Sequence, residues 1–141
     1  MTPQDAFDRY RRILQKLDPD TLDTLGAVVA PGVRFCDPFH DVTGPAAMKQ
    51  VFSRLFTAAD DIDFLITDSA VNDASVYFRW TLKARLRGKP WTIDGVTHAT
   101  FDPQGRVTQH IEYWDAASQF YERFPFIGPL LRHFRKRIAG S

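Results

Sequence analysis

Four side chains in this sequence have the chemistry of proton transfer: Tyr10, Asp37, His110 and Glu112. His110 and Glu112 stand two apart in a run that reads as a strand, so their side chains leave the same face. An imidazole titrates near neutrality, and a carboxylate beside it completes a pair suited to relaying a proton. Asp37 precedes Pro38 and admits two readings. It closes an Asx turn on nearby backbone N–H groups, or it stands partly buried at a pocket mouth as a base. Tyr10 falls on the apolar stripe of a helix, either as a core phenol with one hydroxyl partner or as a donor to a substrate oxygen. A carboxylate, an imidazole and a phenol around an apolar space can run enolisation, dehydration or cyclisation, none of which requires a cofactor.

Other chemistries find less to work with. Cys36 is the sole cysteine, which excludes an internal disulfide and a cysteine-rich metal site. It lies within a hydrophobic run, where a thiol is inert packing. His98 and His110 could supply metal ligands, but an inward-facing His110 would put the two on different faces, and no metal is expected. There is no glycine-rich phosphate loop, dinucleotide fingerprint or serine nucleophile elbow. The formal charge of +1 gives no overall field for nucleic acid.

The elements that would hold these groups can be read from spacing. Thr2-Pro3 with Asp5 is a helix start, and Phe7, Tyr10, Ile13, Leu14 and Leu17 recur at helical intervals. Asp20 or Thr21 opens a short second helix through Leu22, Leu25 and Val28, ended by Pro31-Gly32. Val33 to Cys36 is a short strand stopped at Asp37-Pro38, because proline offers no N–H. Thr43-Gly44-Pro45 begins a third helix carrying Met48, Val51, Phe52, Leu55 and Phe56. From Ile62 onward the period changes to two. Val76, Phe78, Trp80, Leu82, Ala84 and Leu86 alternate with Tyr77, Arg79, Thr81, Lys83 and Arg85, which only a strand with one covered face explains. Arg87-Gly88-Lys89-Pro90 connects to a strand alternating Trp91, Ile93, Gly95, Thr97, Ala99 and Phe101 with Thr92, Asp94, Val96, His98 and Thr100. Asp102-Pro103-Gln104-Gly105 is a hairpin turn, and a last strand runs from Arg106 to about Trp114. Its two faces are equally apolar, so pattern alone leaves its orientation open.

At 141 residues, 44% of them hydrophobic, the chain reads as one domain with a core that needs no staple. The fold class is α+β: three N-terminal helices packed on a strongly curved antiparallel sheet, in a cone shape, with a C-terminal helical extension over 118–141. Met1 to Tyr10 lacks the apolar core of a signal peptide, and no run reaches the roughly 20 apolar residues of a membrane span, so the cytoplasm is the default compartment.

The order of elements resembles the nuclear transport factor 2-like superfamily, which includes ketosteroid isomerase, SnoaL-type polyketide cyclases, scytalone dehydratase and limonene epoxide hydrolase. The resemblance reaches to about Asp115. It is carried by Phe7-Asp8-Arg9-Tyr10-Arg11-Arg12-Ile13-Leu14, by Val33-Arg34-Phe35-Cys36-Asp37-Pro38 with Gly44 following, and by the hairpin from Thr100 to Val107. Likeness to ketosteroid isomerase implies that Tyr10 donates to an enolate oxygen and that Asp37 moves the proton. The second oxyanion donor, an aspartic acid kept neutral by an apolar site, falls on Thr97. A threonine hydroxyl lacks that acidity, and losing one such donor costs a few kcal/mol, which argues against steroid isomerisation itself. The resemblance also orients the last strand with His110, Glu112 and Trp114 inward, and makes Phe78, Trp80, Leu82, Thr97, Ala99 and Phe101 the ligand-facing positions beside them.

Two further features lie outside that set. Arg79, Lys83 and Arg85 line the outer face of one strand with Arg87 just beyond, and the resemblance implies a homodimer through that face, with Asp94 answering the charges. After Gln119 the chain holds one acid, Glu122, against Arg123, Arg132, Arg135, Lys136 and Arg137. Ser118 to Pro125 reads as a turn of helix, and a helix from Pro129 sets Leu130, Leu131, Phe134 and Ile138 against those bases. This extension either packs over the cone mouth or against a partner subunit, leaving its bases in water, or places Phe124, Phe126, Ile127 and Leu130 at an anionic membrane, too short to span it. Three functions remain open: a cofactor-independent isomerase, dehydratase or cyclase for a small apolar oxygen-bearing molecule; a lipid or polyketide-like carrier without turnover; and a dimeric protein-interaction module.

Overall fold

The computed structural model describes residues 1–121, 124–125 and 127–140. The sequence-level expectations for Glu122, Arg123 and Phe126 lie outside the described residues. Helix α1 (Pro3–Gln15) is followed by a short 3₁₀ helix (Leu22–Ala27), strands β1 (Val29–Cys36) and β2 (Asp41–Thr43), and helix α2 (Pro45–Ala58). Four strands then run in succession: β3 (Asp60–Asn72), β4 (Ser75–Leu86), β5 (Lys89–Phe101) and β6 (Val107–Tyr113). Short helix α3 (Ala116–Gln119) and helix α4 (Ile127–Ile138) complete the chain.

Local chemistry sets the element ends. Thr2 caps α1 through a reciprocal box with Asp5: the Thr2 hydroxyl accepts from the Asp5 N–H, and the Asp5 carboxylate accepts from the Thr2 N–H. That bonding holds the Asp5 carboxyl below its usual range. The β5–β6 turn is closed by Asp102, whose carboxylate accepts from the backbone of Gln104 and Arg106 and from the Arg106 guanidinium. Gly105 supplies its left-handed residue, at φ 78°.

The sheet corrects the expected architecture. Its order is β2-β1-β6-β5-β4-β3, an open sheet of six strands with β2 and β3 at the two edges. It is mixed, because β1 runs parallel to β6 while the other pairs are antiparallel. A strongly curved, wholly antiparallel sheet closing as a cone is therefore not what the chain builds. The middle of the three expected N-terminal helices is also a 3₁₀ segment. Pro31-Gly32 does not terminate it but lies inside β1, where the pairing with β6 shifts register between Val29 and Arg34. Proline and glycine are tolerated there because the shift suspends the ladder that Pro31 could not donate to.

The core lies between the helices and the inner sheet face. Even positions of β4 and odd positions of β5 face it, with Val76, Phe78, Trp80, Leu82, Trp91, Ile93 and Ala99 all buried. α1 covers β3 and β4 and contributes Phe7, Tyr10 and Leu14; α2 covers β1 and the 3₁₀ helix with Met48 and Val51. Gly95 is required by its neighbour: a Cβ there would sit 2.5 Å from Trp80 Cζ2. α3 is stitched to β5, since the Trp91 indole N–H donates to the Gln119 carbonyl at 2.9 Å and the Asp94 N–H to the Gln119 side chain at 2.6 Å. No helix among the described residues is long and apolar enough to cross a membrane.

Candidate functional site

A cavity of about 300 Å³ opens between α1, α2 and the inner sheet face. That volume is at the small end for small-molecule sites. Leu14 of α1 with Leu17 just beyond its end, Phe52, Leu55 and Phe56 of α2, and Trp80, Leu82, Trp91 and Ile93 of the sheet supply apolar walls. Phe120 joins them from beyond β6, packing on Trp91 and Phe39 with ring centroids 5.8 and 5.1 Å apart. The polar groups on the wall are Asp37, His40, Arg54, His110 and Glu112.

Two imidazole–carboxylate pairs stand among them. His110 is buried in the β6 segment beside β1, its ring stacked on Phe35 at 5.0 Å. Its Nδ1 lies 2.8 Å from the Tyr10 hydroxyl and its Nε2 3.1 Å from Glu112 Oε2. Tyr10 is 1% exposed, and both burial and the charge of Glu112 raise its pKa well above the ordinary phenol value, so the hydroxyl keeps its proton. A buried O–H must donate, and His110 Nδ1 is the acceptor beside it. The His110 proton therefore sits on Nε2 and is donated to Glu112. Both ring nitrogens are thus committed, and the Tyr10–His110–Glu112 chain ends on the carboxylate.

The second pair is organised differently. Asp37 Oδ1 accepts from the backbone N–H groups of Phe39 and His40 at 2.8 and 2.7 Å, so the Asx turn is real. The same oxygen lies 2.9 Å from His40 Nδ1. A carboxylate there requires a proton on Nδ1, which leaves the other ring nitrogen, Nε2, without a protein partner among the described residues. Asp37 and His40 both reach the cavity wall, with side chains 11% and 27% exposed. Asp37 thus closes the expected Asx turn and also stands at the cavity wall, where its carboxylate holds the His40 imidazole.

Of the residues singled out from sequence, Asp37, His110, Glu112, Trp80, Leu82 and Trp114 line the cavity. Tyr10 does not; it stands behind His110, its hydroxyl against Nδ1. Phe78, Thr97, Ala99 and Phe101 share the inner face but lie away from the cavity, because strand parity fixes a face and not a depth beneath the helices. Phe78 is packed by Phe7 of α1 with centroids 5.4 Å apart. The Thr97 hydroxyl, far from being offered to a ligand, accepts the Trp80 indole N–H at 2.9 Å. His40, Arg54, Phe39, Trp91 and the α2 aromatics are what sequence reasoning missed. For His40 the available signal was its place three residues after an Asx-turn aspartate.

His98 points to the other side of the sheet, stacked on Tyr77 with centroids 4.3 Å apart. Among the described residues no cluster of His, Cys, Asp or Glu is arranged to hold a metal ion.

Residues 8–110 match the family described as the SnoaL-like domain. The chain belongs to that family. Three solved structures show the same nuclear transport factor 2-like fold. A putative SnoaL-like polyketide cyclase from Jannaschia sp. CCS1 is similar at TM-score 0.68 and 16% identity, over 80% of this chain and 85% of that one. An LEH-like epoxide hydrolase from M. tuberculosis gives TM-score 0.67 and 17% identity, over 99% of this chain and 96% of that one. A protein of unknown function from Exiguobacterium sp. 255-15 gives TM-score 0.67 and 22% identity, over 78% and 98%. No curated protein matches the sequence. In this SnoaL-like domain the cavity is the candidate site for binding or converting a small molecule.

Proposed function

We propose that this SnoaL-like domain is a cofactor-independent isomerase, dehydratase or cyclase that works by acid–base chemistry on a small apolar molecule carrying oxygen. The observation that carries the reading is the pair of His–carboxylate couples on a cavity wall that is apolar apart from them and Arg54, each couple with one end committed to the protein and both reaching the cavity lining. His40 takes a proton through Nε2 while Asp37 holds its Nδ1–H. Glu112, oriented by the His110 Nε2–H, takes or returns a proton elsewhere on the substrate. Tyr10 and His110 are positioning residues in this scheme. The apolar walls strengthen each electrostatic contact by keeping water out. The cyclase and epoxide hydrolase names of the structural relatives support a substrate of this class.

The test is hydrogen–deuterium exchange at carbon, followed by mass spectrometry on small cyclic ketones in deuterium oxide. Wild-type protein should incorporate deuterium α to the carbonyl. Glu112→Gln and His40→Gln should each lower the rate by about 10²–10⁴-fold, the usual worth of a positioned acid or base. A retained apolar ligand with no exchange would favour the carrier reading, which the cavity walls alone satisfy.

We also propose that the outer sheet face meets a second copy of the chain. Leu65, Tyr77, Val96 and Tyr113 are 53%, 43%, 38% and 60% exposed on that face. The expected charge pairing across it is weakened, because Asp94 already accepts from the Thr81 hydroxyl at 2.6 Å and Arg85 faces Asp61 at 3.5 Å. The apolar centre is the better argument. Light scattering on wild type and Val96→Asp decides the matter, and a monomeric wild type would end it.

A further inference from the structure

α4 takes no part in the cavity or its chemistry. Ile127, Leu130, Phe134 and Ile138 follow at intervals of three and four residues, so they share one face of the helix. They are 49%, 55%, 53% and 88% exposed. Arg132, Arg135, Lys136 and Arg137 occupy the remaining surface and are exposed as well, and residues 127–140 contain no aspartate or glutamate. The whole chain carries a formal charge of only +1, so this helix is a local concentration of positive charge beside a bare apolar stripe. α4 packs chiefly on α3, and the exposure of the stripe places it outside the core.

We propose that α4 lies in the plane of an anionic lipid surface, with Ile127, Leu130, Phe134 and Ile138 among the acyl chains and its arginines and lysine at the headgroups. Helical geometry sets Arg135 and Arg137 on the two flanks of the stripe, where their stems can lie along the apolar boundary while the charges reach the headgroup level. Charge selects this occupant over a second copy, because helix-to-helix pairing would bring two sets of cations together. Twelve residues rise about 18 Å, short of the roughly 30 Å hydrocarbon core, so α4 rests on the bilayer and does not cross it. Phe120 at the end of α3 forms part of the cavity wall. Docking therefore sets the cavity close to a reservoir of apolar molecules; this last step rests on the proposed function, whereas membrane binding does not.

The experiment is co-sedimentation of the full chain with vesicles of phosphatidylcholine alone and of phosphatidylcholine mixed with phosphatidylserine. Binding is expected to the mixed vesicles and to fall as salt is raised. Arg135→Gln combined with Arg137→Gln should weaken it about 30-fold, roughly fivefold for each cation removed. Phe134→Asp should abolish it. All of these side chains are solvent-facing, so the variants keep the fold, which far-ultraviolet circular dichroism checks. Equal binding to both vesicle types, or none to either, overturns the proposal. So does self-association, seen by light scattering without vesicle binding and lost in Phe134→Asp, which would assign the stripe to a second copy. Deuterium exchange measured without vesicles is unaffected by these substitutions, so failure here and failure of the catalytic reading are separate results.

Discussion

Tyr10→Phe is the substitution that most directly probes the buried relay. It deletes one oxygen from a residue that is 1% exposed and leaves the ring in place, so packing against the core is preserved. What is lost is the O–H donated to His110 Nδ1 at 2.8 Å. That nitrogen belongs to a residue 2% exposed and cannot recruit water freely. A buried acceptor stripped of its donor costs about 1–3 kcal/mol. For a chain of this size the loss corresponds to a fall in Tm of roughly 3–9 °C. The difference also depends on pH with a sign that can be worked out. In the folded protein, burial and Glu112 hold the Tyr10 pKa above its ordinary value, while the unfolded chain ionises near pH 10. Stability from this group is thus intact below about pH 10. As pH rises further it is lost by up to about 1.4 kcal/mol per unit, because the unfolded state releases a proton that the folded state retains. Phenylalanine has no such proton, so the stability gap between the two proteins should narrow in alkali. Urea denaturation at neutral and alkaline pH reads the gap, and nitrogen NMR of the imidazole reads the tautomer. Equal stabilities within about 0.5 kcal/mol, a gap indifferent to alkali and an unchanged His110 spectrum would together refute the assignment of the hydroxyl as donor.

Gly95→Ala should push Trp80 aside, since the new Cβ would lie 2.5 Å from its ring. We expect a loss of about 1–3 kcal/mol from overpacking, a shifted tryptophan emission and a reshaped cavity; a variant with unchanged melting and emission would show that the indole has room to spare. Asp37→Asn keeps an oxygen for the Phe39 and His40 N–H groups, so stability should fall by about 1 kcal/mol or less. Deuterium exchange should nevertheless drop at least about 100-fold, because the amide no longer fixes the His40 tautomer. Full exchange activity in Asp37→Asn would remove His40 from the mechanism.

Much of this was written in the chain. The alternation from Val76 to Leu86 and from Trp91 to Phe101 dictates two strands and their inner faces, since side-chain direction in a strand has a period of two. The Thr2–Asp5 box and the Asp102 turn are likewise local. His110 and Glu112 share a face for the same reason. What spacing could not supply is partner, sense and depth. Whether β1 joins β6 in parallel is decided by how the returning strands stack beside it, a matter of long-range docking. Phe78 and Thr97 share a parity with Trp80, yet only Trp80 reaches the cavity, because α1 covers one end of the inner face and α2 leaves a gap at the other. Asp37 was legible as a turn residue and as a carboxylate at a pocket, but not as the support for His40. That role depends on the loop folding back on itself, and on the walls brought to it by α2 and Phe120 from distant parts of the chain. The residue types were fixed locally; which of their nitrogens and oxygens face the cavity was settled by packing.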